Sequence, residues 1–247
     1  MIYMVVPCYN EEKRLDVSYW SHILERIPKD SCCFSFVDDG STDDTTRLLQ
    51  HLADKYSIKL ISLNNNVGKA NAIRHSFELL SEKGQYGDVY GFIDSDSAFS
   101  AEEVVERISS VKQDIKNSDA VFMSRIKISG TQIVRSTKRH ILSRIIYTYL
   151  ARDWEWAPYD TQCGFKFFLF SDNLHQSLKG KFATSWFFDI ELVVRLSSLA
   201  GNRIFIKEIP LQFWTEREGS KLRGKELIRI FVEIIRIRSK IRKITHL

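Results

Sequence analysis

The sequence predicts an α/β fold, with a mostly parallel central sheet and helices on both of its faces. Short apolar segments alternate with amphipathic segments through the first half of the chain. Each apolar segment is bounded by turn residues, which is typical of buried parallel strands. Polar loops follow these segments at the strand ends where such a sheet binds its ligands.

The bulk composition agrees with this class. The chain has 247 residues, of which 44% are apolar and 27% are charged, so it has the composition of an ordinary globular protein rather than a disordered one. Its length suits one or two domains.

Five strands are predicted in the first half. They are residues 2–6, 32–37, 59–63, 89–93 and 120–123. Helices are predicted between them at about 15–27, 43–56, 68–83 and 101–116. Ser100 and Glu103 have the spacing of a capping box at the start of the fourth helix.

The pattern changes after about residue 124. Helices are predicted at 136–151 and 188–199, a strand-rich segment at 160–170, and one or two strands at 203–214. Since no linker rich in Gly, Pro or Ser divides the chain, we expect one domain at residues 1–222. Its two halves would be residues 1–123 and 124–222.

Residues 223–247 form a separate, basic amphipathic helix. Ile and Leu recur at intervals of three and four over 224–244. From Lys221 onward, nine basic residues face only two glutamates, which indicates an anionic surface nearby. The helix could pack on the domain, form a homodimer or lie on a membrane, and its basic face favours the membrane.

Other segments argue against several protein classes. No run of about 18 uncharged apolar residues and no signal-peptide pattern occurs, so we expect a cytoplasmic protein at the inner face of the membrane. The four cysteines lack zinc-site spacing and are expected to be reduced thiols. Because no nucleic-acid motif accompanies the basic helix, nucleic acid is not an expected partner.

The loop after the fourth strand carries the chemistry. Asp94 and Asp96 can hold a hard divalent cation, Mg²⁺ or Mn²⁺, which offsets the charge of a nucleoside diphosphate and stabilises it as a leaving group. An isolated Asp-x-Asp tripeptide also fits a polar turn, and Asp38-Asp39-Gly40 also fits a tight turn. Lys69 could reach a phosphate or be solvated.

The order of these motifs is more specific than any one of them. Segments 6–11 (Val-Pro-Cys-Tyr-Asn-Glu), 37–43 (Val-Asp-Asp-Gly-Ser-Thr-Asp), 66–69 (Asn-Val-Gly-Lys) and 94–96 (Asp-Ser-Asp) resemble the successive signatures of glycosyltransferase family 2, which has the GT-A fold. Segments 160–166 (Asp-Thr-Gln-Cys-Gly-Phe-Lys), 188–192 (Phe-Asp-Ile-Glu-Leu) and 214–221 resemble its dolichyl-phosphate β-glucosyltransferase and polyprenyl-phosphate mannosyltransferase branch. The resemblance covers about residues 1–222.

The resemblance implies that 1–123 is the nucleotide-sugar half and that 124–222 is the acceptor half. It also implies roles on the donor side. The first two loops would supply the nucleoside pocket: Pro7, Tyr9, Glu11, Asp38 and Asp39. Asp39 would contact the base or ribose. Asp94 and Asp96, with Ser95 between them, would hold the nucleotide-sugar through Mg²⁺ or Mn²⁺, and Asp96 would be essential for catalysis.

The resemblance also implies roles for five residues of the second half. Arg125 would face phosphate, and Lys166 would lie in the acceptor-side motif. Asp189 matches the candidate base position. Arg217 and Lys221 would close over the donor diphosphate or the acceptor phosphate.

The expected reaction is an inverting transfer of a hexose from UDP-glucose or a similar donor to a polyprenyl phosphate. A phosphate acceptor is already anionic, so Asp189 would then orient it. If the acceptor is instead a sugar hydroxyl of a glycan, Asp189 becomes the general base, because a hydroxyl must lose its proton during attack. A non-catalytic nucleotide-sugar-binding scaffold is the alternative of another class.

Overall fold

The computed structural model of the chain describes residues 1–82, 84–154, 156–201, 203–217 and 224–244. The strands are β1 (Ile2–Cys8), β2 (Cys32–Asp38), β3 (Lys59–Ser62), β4 (Val89–Ile93), β5 (Ala120–Ser124), β6 (Gln132–Val134), β7 (Phe165–Leu169), β8 (Ile206–Pro210) and β9 (Phe213–Thr215). The helices are α1 (Val17–Arg26), α2 (Thr45–Lys55), α3 (Lys69–Ser81), α4 (Ala101–Asp114), α5 (Thr137–Ala151), α6 (Asp172–Ser177), α7 (Phe188–Ala200) and α8 (Gly224–Ile244).

A seven-stranded sheet forms the centre of the fold. Its strand order is β3-β2-β1-β4-β7-β5-β8, and a separate two-stranded sheet pairs β6 with β9. Strands β1 to β4 are parallel to one another, as are β5 and β8. Strand β7 runs antiparallel to both of its neighbours, β4 and β5. The prediction of a mostly parallel sheet is confirmed.

Each face of the sheet carries its own hydrophobic core, because alternate side chains of a strand point to opposite faces. Met4 and Val6 belong to one core, with residues of α1, α2 and α4. Val5 belongs to the other, with residues of α3, α7 and α8. Helices therefore cover both faces, as the sequence predicts.

The strand-rich segment predicted at 160–170 is shorter in the structure. Only Phe165–Leu169 forms a strand, and residues 160–164 form a loop. Strand β6 and helix α6 were not predicted. Strand β1 continues through Pro7, which is possible because β1 pairs with β4 only as far as Val5.

The capping box is half formed. Ser100 Oγ accepts a hydrogen bond from the Glu103 backbone N–H at 3.2 Å. The Glu103 carboxylate does not return to Ser100 but accepts from the backbone N–H groups of Gln212 and Phe213, at 2.8 and 3.0 Å. Glu103 therefore connects α4 to the turn between β8 and β9.

The apolar side of α8 packs on the domain. Ile237 and Ile241 are fully buried, and Lys240 Nζ lies 2.6 Å from the Glu191 carboxylate of α7. Of the three roles predicted for this helix, the structure shows packing on the domain for its apolar side. Membrane contact and dimerisation stay predictions for its outer side. Among the described residues, no helix is long and apolar enough to span a bilayer.

Candidate active site

The loops after β1, β2 and β3 meet at one edge of the sheet. The Asn10 backbone N–H donates to Ser41 Oγ at 3.1 Å, and Asn10 Oδ1 accepts from the Thr42 N–H at 2.8 Å. Asn10 has a left-handed backbone, with φ of 50°. Pro7 is buried at this edge, whereas the Tyr9 side chain is 43% exposed and available to a ligand.

The two aspartates that end β2 brace neighbouring backbone. Asp38 Oδ1 accepts from the Ser41 N–H at 3.0 Å, and its Oδ2 accepts from the Thr46 hydroxyl. Asp39 accepts from the Val67 and Gly68 N–H groups at 2.7 and 2.8 Å, one on each carboxylate oxygen. Both side chains are almost fully buried. The nucleoside contact of Asp39 stays a prediction.

Asp94 lies at the carboxyl end of β4, beside β7. Its backbone N–H donates to the Gly164 carbonyl at 2.9 Å, and its Oδ1 forms an ion pair with Lys69 Nζ. Desolvation alone would lower the pKa of Lys69, but the Asp94 carboxylate holds it above its ordinary value. Of the two readings of Lys69, the structure therefore favours a cation directed into the site.

Asp96 and Glu11 lie near Asp94. Burial raises the pKa of Asp96, and the charge of Asp94 raises it further. Burial also raises the pKa of Glu11; Arg14 opposes this shift, while Asp96 and Asp94 add to it. The charge of Asp94 thus acts on two neighbouring carboxyl groups at this strand end.

This donor set fits a divalent cation. Glu11 Oε2 is buried and has no hydrogen-bond partner among the described residues. Mutual repulsion between carboxylates is relieved when a cation binds between them, and carboxylate oxygens are the ligands that Mg²⁺ and Mn²⁺ prefer. No complete cluster of three His, Cys, Asp or Glu ligands is preformed in the described parts of the chain. A cation held by Asp94 and Asp96 would therefore take further ligands from diphosphate and water.

The loop around Asp96 is held from two sides. Trp20 Nε1 donates to the Ser95 carbonyl at 3.2 Å. Arg217 donates to the Ser97 carbonyl through Nη2 at 2.8 Å and Nε at 3.3 Å. Ser97 has a left-handed backbone, with φ of 55°, and Arg217 restrains it. Arg217 is thus next to the Asp94–Asp96 loop, while Lys221 lies outside the described residues.

Arg125 is bound to Asp160 rather than being free in the cleft. Its Nε and Nη2 each lie 2.7 Å from one Asp160 oxygen, and its guanidinium lies 5.0 Å from the centre of the Trp214 ring. Burial alone would raise the pKa of Asp160, but the charge and hydrogen bonds of Arg125 hold this pKa well below its ordinary value. The predicted contact of Arg125 with phosphate stays a prediction.

Lys166 is fully buried, and the structure joins it to Asp189. Its Nζ donates to Asp189 Oδ2 at 2.6 Å, to the Cys163 carbonyl at 2.5 Å and to the Thr161 carbonyl at 3.1 Å. Asp189 Oδ1 accepts from the Ile190 N–H and from Gln162 Nε2. Lys166 therefore holds Asp189 and the 161–163 backbone, and its contact with a substrate stays a prediction.

A small basic cleft of about 20 Å³ lies beside Asp160 and Gln162. It is lined by Arg135, Ser143, Arg144, Tyr147, Tyr159, Asp160, Thr161 and Gln162. Arg144 is held between the rings of Tyr147 and Tyr159, at 4.2 and 4.1 Å. Gln162 and Gly164 were not predicted as site residues, although both belong to the 160–166 segment that resembles the family branch.

Comparison with known proteins identifies the family. The family model described as glycosyl transferase family 2 matches residues 3–175. The chain belongs to this family. The prediction of a glycosyltransferase is confirmed.

Relatives of this glycosyltransferase carry one recurring name. The dolichyl-phosphate beta-glucosyltransferase of Mus musculus is 31% identical over 89% of this chain and 68% of its own length. The Saccharomyces cerevisiae protein of that name is 31% identical with the same coverage, and the Dictyostelium discoideum protein is 29% identical over 95% of this chain and 73% of its own length. The resemblance to this branch is confirmed.

Solved structures support the GT-A fold of this glycosyltransferase. Glucosyl-3-phosphoglycerate synthase from Mycobacterium tuberculosis, in complex with Mn²⁺ and UDP-Glc, has a TM-score of 0.67 at 20% identity and covers 99% of this chain and 79% of its own. S. aureus TarS 1-349, in complex with UDP-GlcNAc, has a TM-score of 0.61 at 18% identity and covers 97% and 66%.

Proposed function

We propose that this glycosyltransferase transfers a hexose from UDP-glucose or a similar nucleotide-sugar to a polyprenyl phosphate, with inversion. The names of the curated relatives support a glucosyl group and a dolichyl-phosphate-like acceptor. The UDP-sugars and Mn²⁺ of the structural neighbours support the donor and a divalent cation. The observation that carries the proposal is the single segment, 160–166, in which Gly164 contacts Asp94 and Lys166 contacts Asp189.

On the donor side, Asp94 and Asp96 would hold Mg²⁺ or Mn²⁺. When bound, the cation would stabilise negative charge on the departing diphosphate. Lys69 contacts Asp94 and would contribute a second positive charge to the diphosphate. Tyr9 and Glu11 lie on the nucleoside side of this edge.

On the acceptor side, the basic cleft suits an anionic group. Arg135 and Arg144 line it, while the charge of Asp160 is already balanced by Arg125. Both oxygens of Asp189 accept hydrogen bonds, from Lys166 on one and from the Ile190 N–H on the other. This arrangement favours an orienting role for Asp189 over proton abstraction, and hence a phosphate acceptor over a hydroxyl.

The reaction would be a single displacement. An acceptor phosphate oxygen forms a bond to the anomeric carbon while the bond from that carbon to the nucleoside diphosphate breaks, so the configuration inverts. Asp189 and Gln162 orient the acceptor, and the arginines of the cleft hold its charge. No side chain has to remove a proton, because the phosphate is already anionic.

Membrane contact would use a surface that the structure leaves exposed. Helix α5 directs Ser143, Arg144 and Tyr147 into the cleft and exposes apolar side chains on its other side, among them Ile145 at 62%. Exposed Phe231 of α8 adds to this surface, which we name the α5/α8 surface.

Positive charge accompanies the apolar side chains of the α5/α8 surface. Arg238 of α8 lies 4.0 Å from the Tyr149 ring of α5, where the two helices meet, and Arg242 is exposed one turn further along. Both arginines pair with Asp153, so the group keeps one net positive charge. Exposed apolar side chains beside cations suit an anionic lipid surface. A membrane at this surface would present the lipid phosphate to the cleft behind α5. The proposed mode of binding is therefore peripheral association with the cytoplasmic face.

The reaction is tested by incubating the chain with a panel of nucleotide-sugars and Mn²⁺ and measuring nucleotide release with and without polyprenyl phosphate. We expect UDP release from UDP-glucose that requires the lipid, is lost in EDTA and is lost in Asp96→Asn. Asp30→Asn, at an exposed turn, is the control. Nucleotide release that requires a sugar hydroxyl and not the lipid would favour the glycan acceptor. No release from any donor of the panel would favour the non-catalytic scaffold. Full activity in EDTA would exclude a required divalent cation.

Membrane contact is tested separately with vesicles containing anionic lipid. Ile145→Glu and Phe231→Glu should weaken vesicle binding, because each places a charge in the α5/α8 surface. Phe205→Glu is the matched control, since Phe205 is as exposed as Phe231 but directly precedes β8 and belongs to neither helix. Equal binding of all three variants and the unmodified chain would rule out this surface.

A further inference from the structure

Gly164 lies in direct contact with the Asp94 carboxylate. A Cβ atom at position 164 would lie 2.1 Å from Asp94 Oδ2 and 2.3 Å from its Cγ, whereas real Cβ contacts are essentially never shorter than 3.0 Å. The backbone at Gly164 is not in the left-handed region, so what position 164 requires is space and not an unusual φ. The carboxylate therefore occupies the volume that any other residue's Cβ would take.

The backbone cannot relieve this contact by moving away. The Gly164 carbonyl accepts the Asp94 N–H at 2.9 Å, and Phe165 is paired with Ile93 in the sheet. On the other side of the carboxylate, Lys69 Nζ contacts Oδ1. Asp94 is thus confined between the Cα of Gly164 and the ammonium of Lys69.

Gly91 of β4 provides a contrast. A Cβ there would lie 2.5 Å from Met4 Sδ and 2.6 Å from Phe167 Cδ1, both in side chains of the hydrophobic core. Alanine at position 91 would therefore strain the core without touching the Asp94 carboxylate. The two glycines lie on neighbouring strands or strand ends, but only Gly164 faces a carboxylate of the site.

We propose that Gly164 is a positioning residue that sets the orientation of the Asp94 carboxylate for a divalent cation. This inference rests on the proposed role of Asp94 as a cation ligand. An ordinary contact with a Cβ needs about 3.4 Å, so alanine at 164 would displace Oδ2 by about 1 Å. Metal–ligand distances tolerate only about 0.2 Å, so the displaced carboxylate would no longer be a good ligand.

Binding of UDP with Mn²⁺, measured by titration calorimetry, tests this proposal without relying on turnover. Gly164→Ala should weaken Mn²⁺-dependent UDP binding by about 10- to 100-fold, the range seen when groups that orient a metal ligand are changed. Gly91→Ala should lower the melting temperature and leave this affinity unchanged. If the unmodified chain does not bind UDP with Mn²⁺, the proposed donor site is wrong; if it binds and Gly164→Ala binds equally well, Gly164 is not a positioning residue.

Thermal unfolding gives a second test that does not depend on the cation. Gly164→Ala should lower the melting temperature of the unmodified chain more than that of Asp94→Ala, because the smaller side chain removes the atoms with which the new Cβ collides. If Gly164→Ala does not fold, the double variant with Asp94→Ala should still fold. Equal destabilisation in both backgrounds would overturn the proposal.

Discussion

Replacement of Lys166 by methionine removes the buried positive charge that holds Asp189. The side chain is fully buried, and its ammonium donates to the Asp189 carboxylate and to two backbone carbonyls. Methionine fills a similar volume without a charge, so the main consequence is a buried carboxylate without a counter-ion. Such a loss costs about 3–5 kcal/mol, which is a large part of a typical domain's stability of about 5–15 kcal/mol.

Urea unfolding measures this cost. The midpoint of Lys166→Met should fall by about 1 M or more, given slopes of about 1–3 kcal/mol/M. The matched control is Lys207→Met, which removes a half-exposed ion pair with Asp114 at the surface. That pair is expected to contribute about 1 kcal/mol or less.

A double variant distinguishes the ion pair from other effects of the substitution. Adding Asp189→Asn removes the uncompensated charge, so the double variant should be more stable than the sum of the two single changes by about 1 kcal/mol or more. Additive costs, or equal costs for Lys166→Met and Lys207→Met, would refute the reasoning. Mn²⁺-dependent UDP binding should persist in folded Lys166→Met, because Lys166 does not face the donor side.

Three further substitutions test other contacts. Burial raises the pKa of Asp160, but Arg125 holds it below its ordinary value, so the pair stabilises the fold above about pH 4 and this contribution is lost as the pH falls towards the folded-state pKa. The difference in unfolding free energy between the unmodified chain and Asp160→Asn should therefore shrink below about pH 4. A difference that does not change with pH would contradict the pairing. Ile237→Ala should cost about 2–5 kcal/mol in urea unfolding if α8 is packed, whereas exposed Ile235→Ala should cost about 0.5 kcal/mol or less. Glu103→Gln leaves one of two backbone N–H groups without an acceptor and should cost about 1–3 kcal/mol; no loss in melting temperature would mean that the carboxylate does not hold the β8–β9 turn.

Local patterns predicted most of the first half of the fold. The five strands and four helices were expected to within about three residues of their observed ends, because each is a short apolar or amphipathic segment with turn residues at its limits. The position of the acidic loops followed as well, since parallel strands place their carboxyl ends at one edge. The turn at Asp38-Asp39-Gly40 was also readable from three adjacent residues.

Contacts between distant segments were not predictable in the same way. Strand β7 is inserted antiparallel between β4 and β5, and nothing in its own apolar residues specifies its direction or neighbours. Glu103 has the spacing of a capping box, yet its carboxylate binds the Gln212 and Phe213 backbone, more than 100 residues away. Helix α5 exposes its apolar side, whereas an amphipathic pattern alone does not say which side faces the protein.

The sequence by itself determined the family, the α/β class and the Asp94–Asp96 loop, because these depend on motif order and on local periodicity. Only the tertiary structure decided which partners the charged residues of the second half have. Lys166 and Arg125, expected near substrate, are each paired with an aspartate, since a buried cation requires a counter-charge within a few ångströms. The contact of Gly164 with the Asp94 carboxylate also depends on the tertiary structure, because only the packing of β7 beside β4 brings the two residues together.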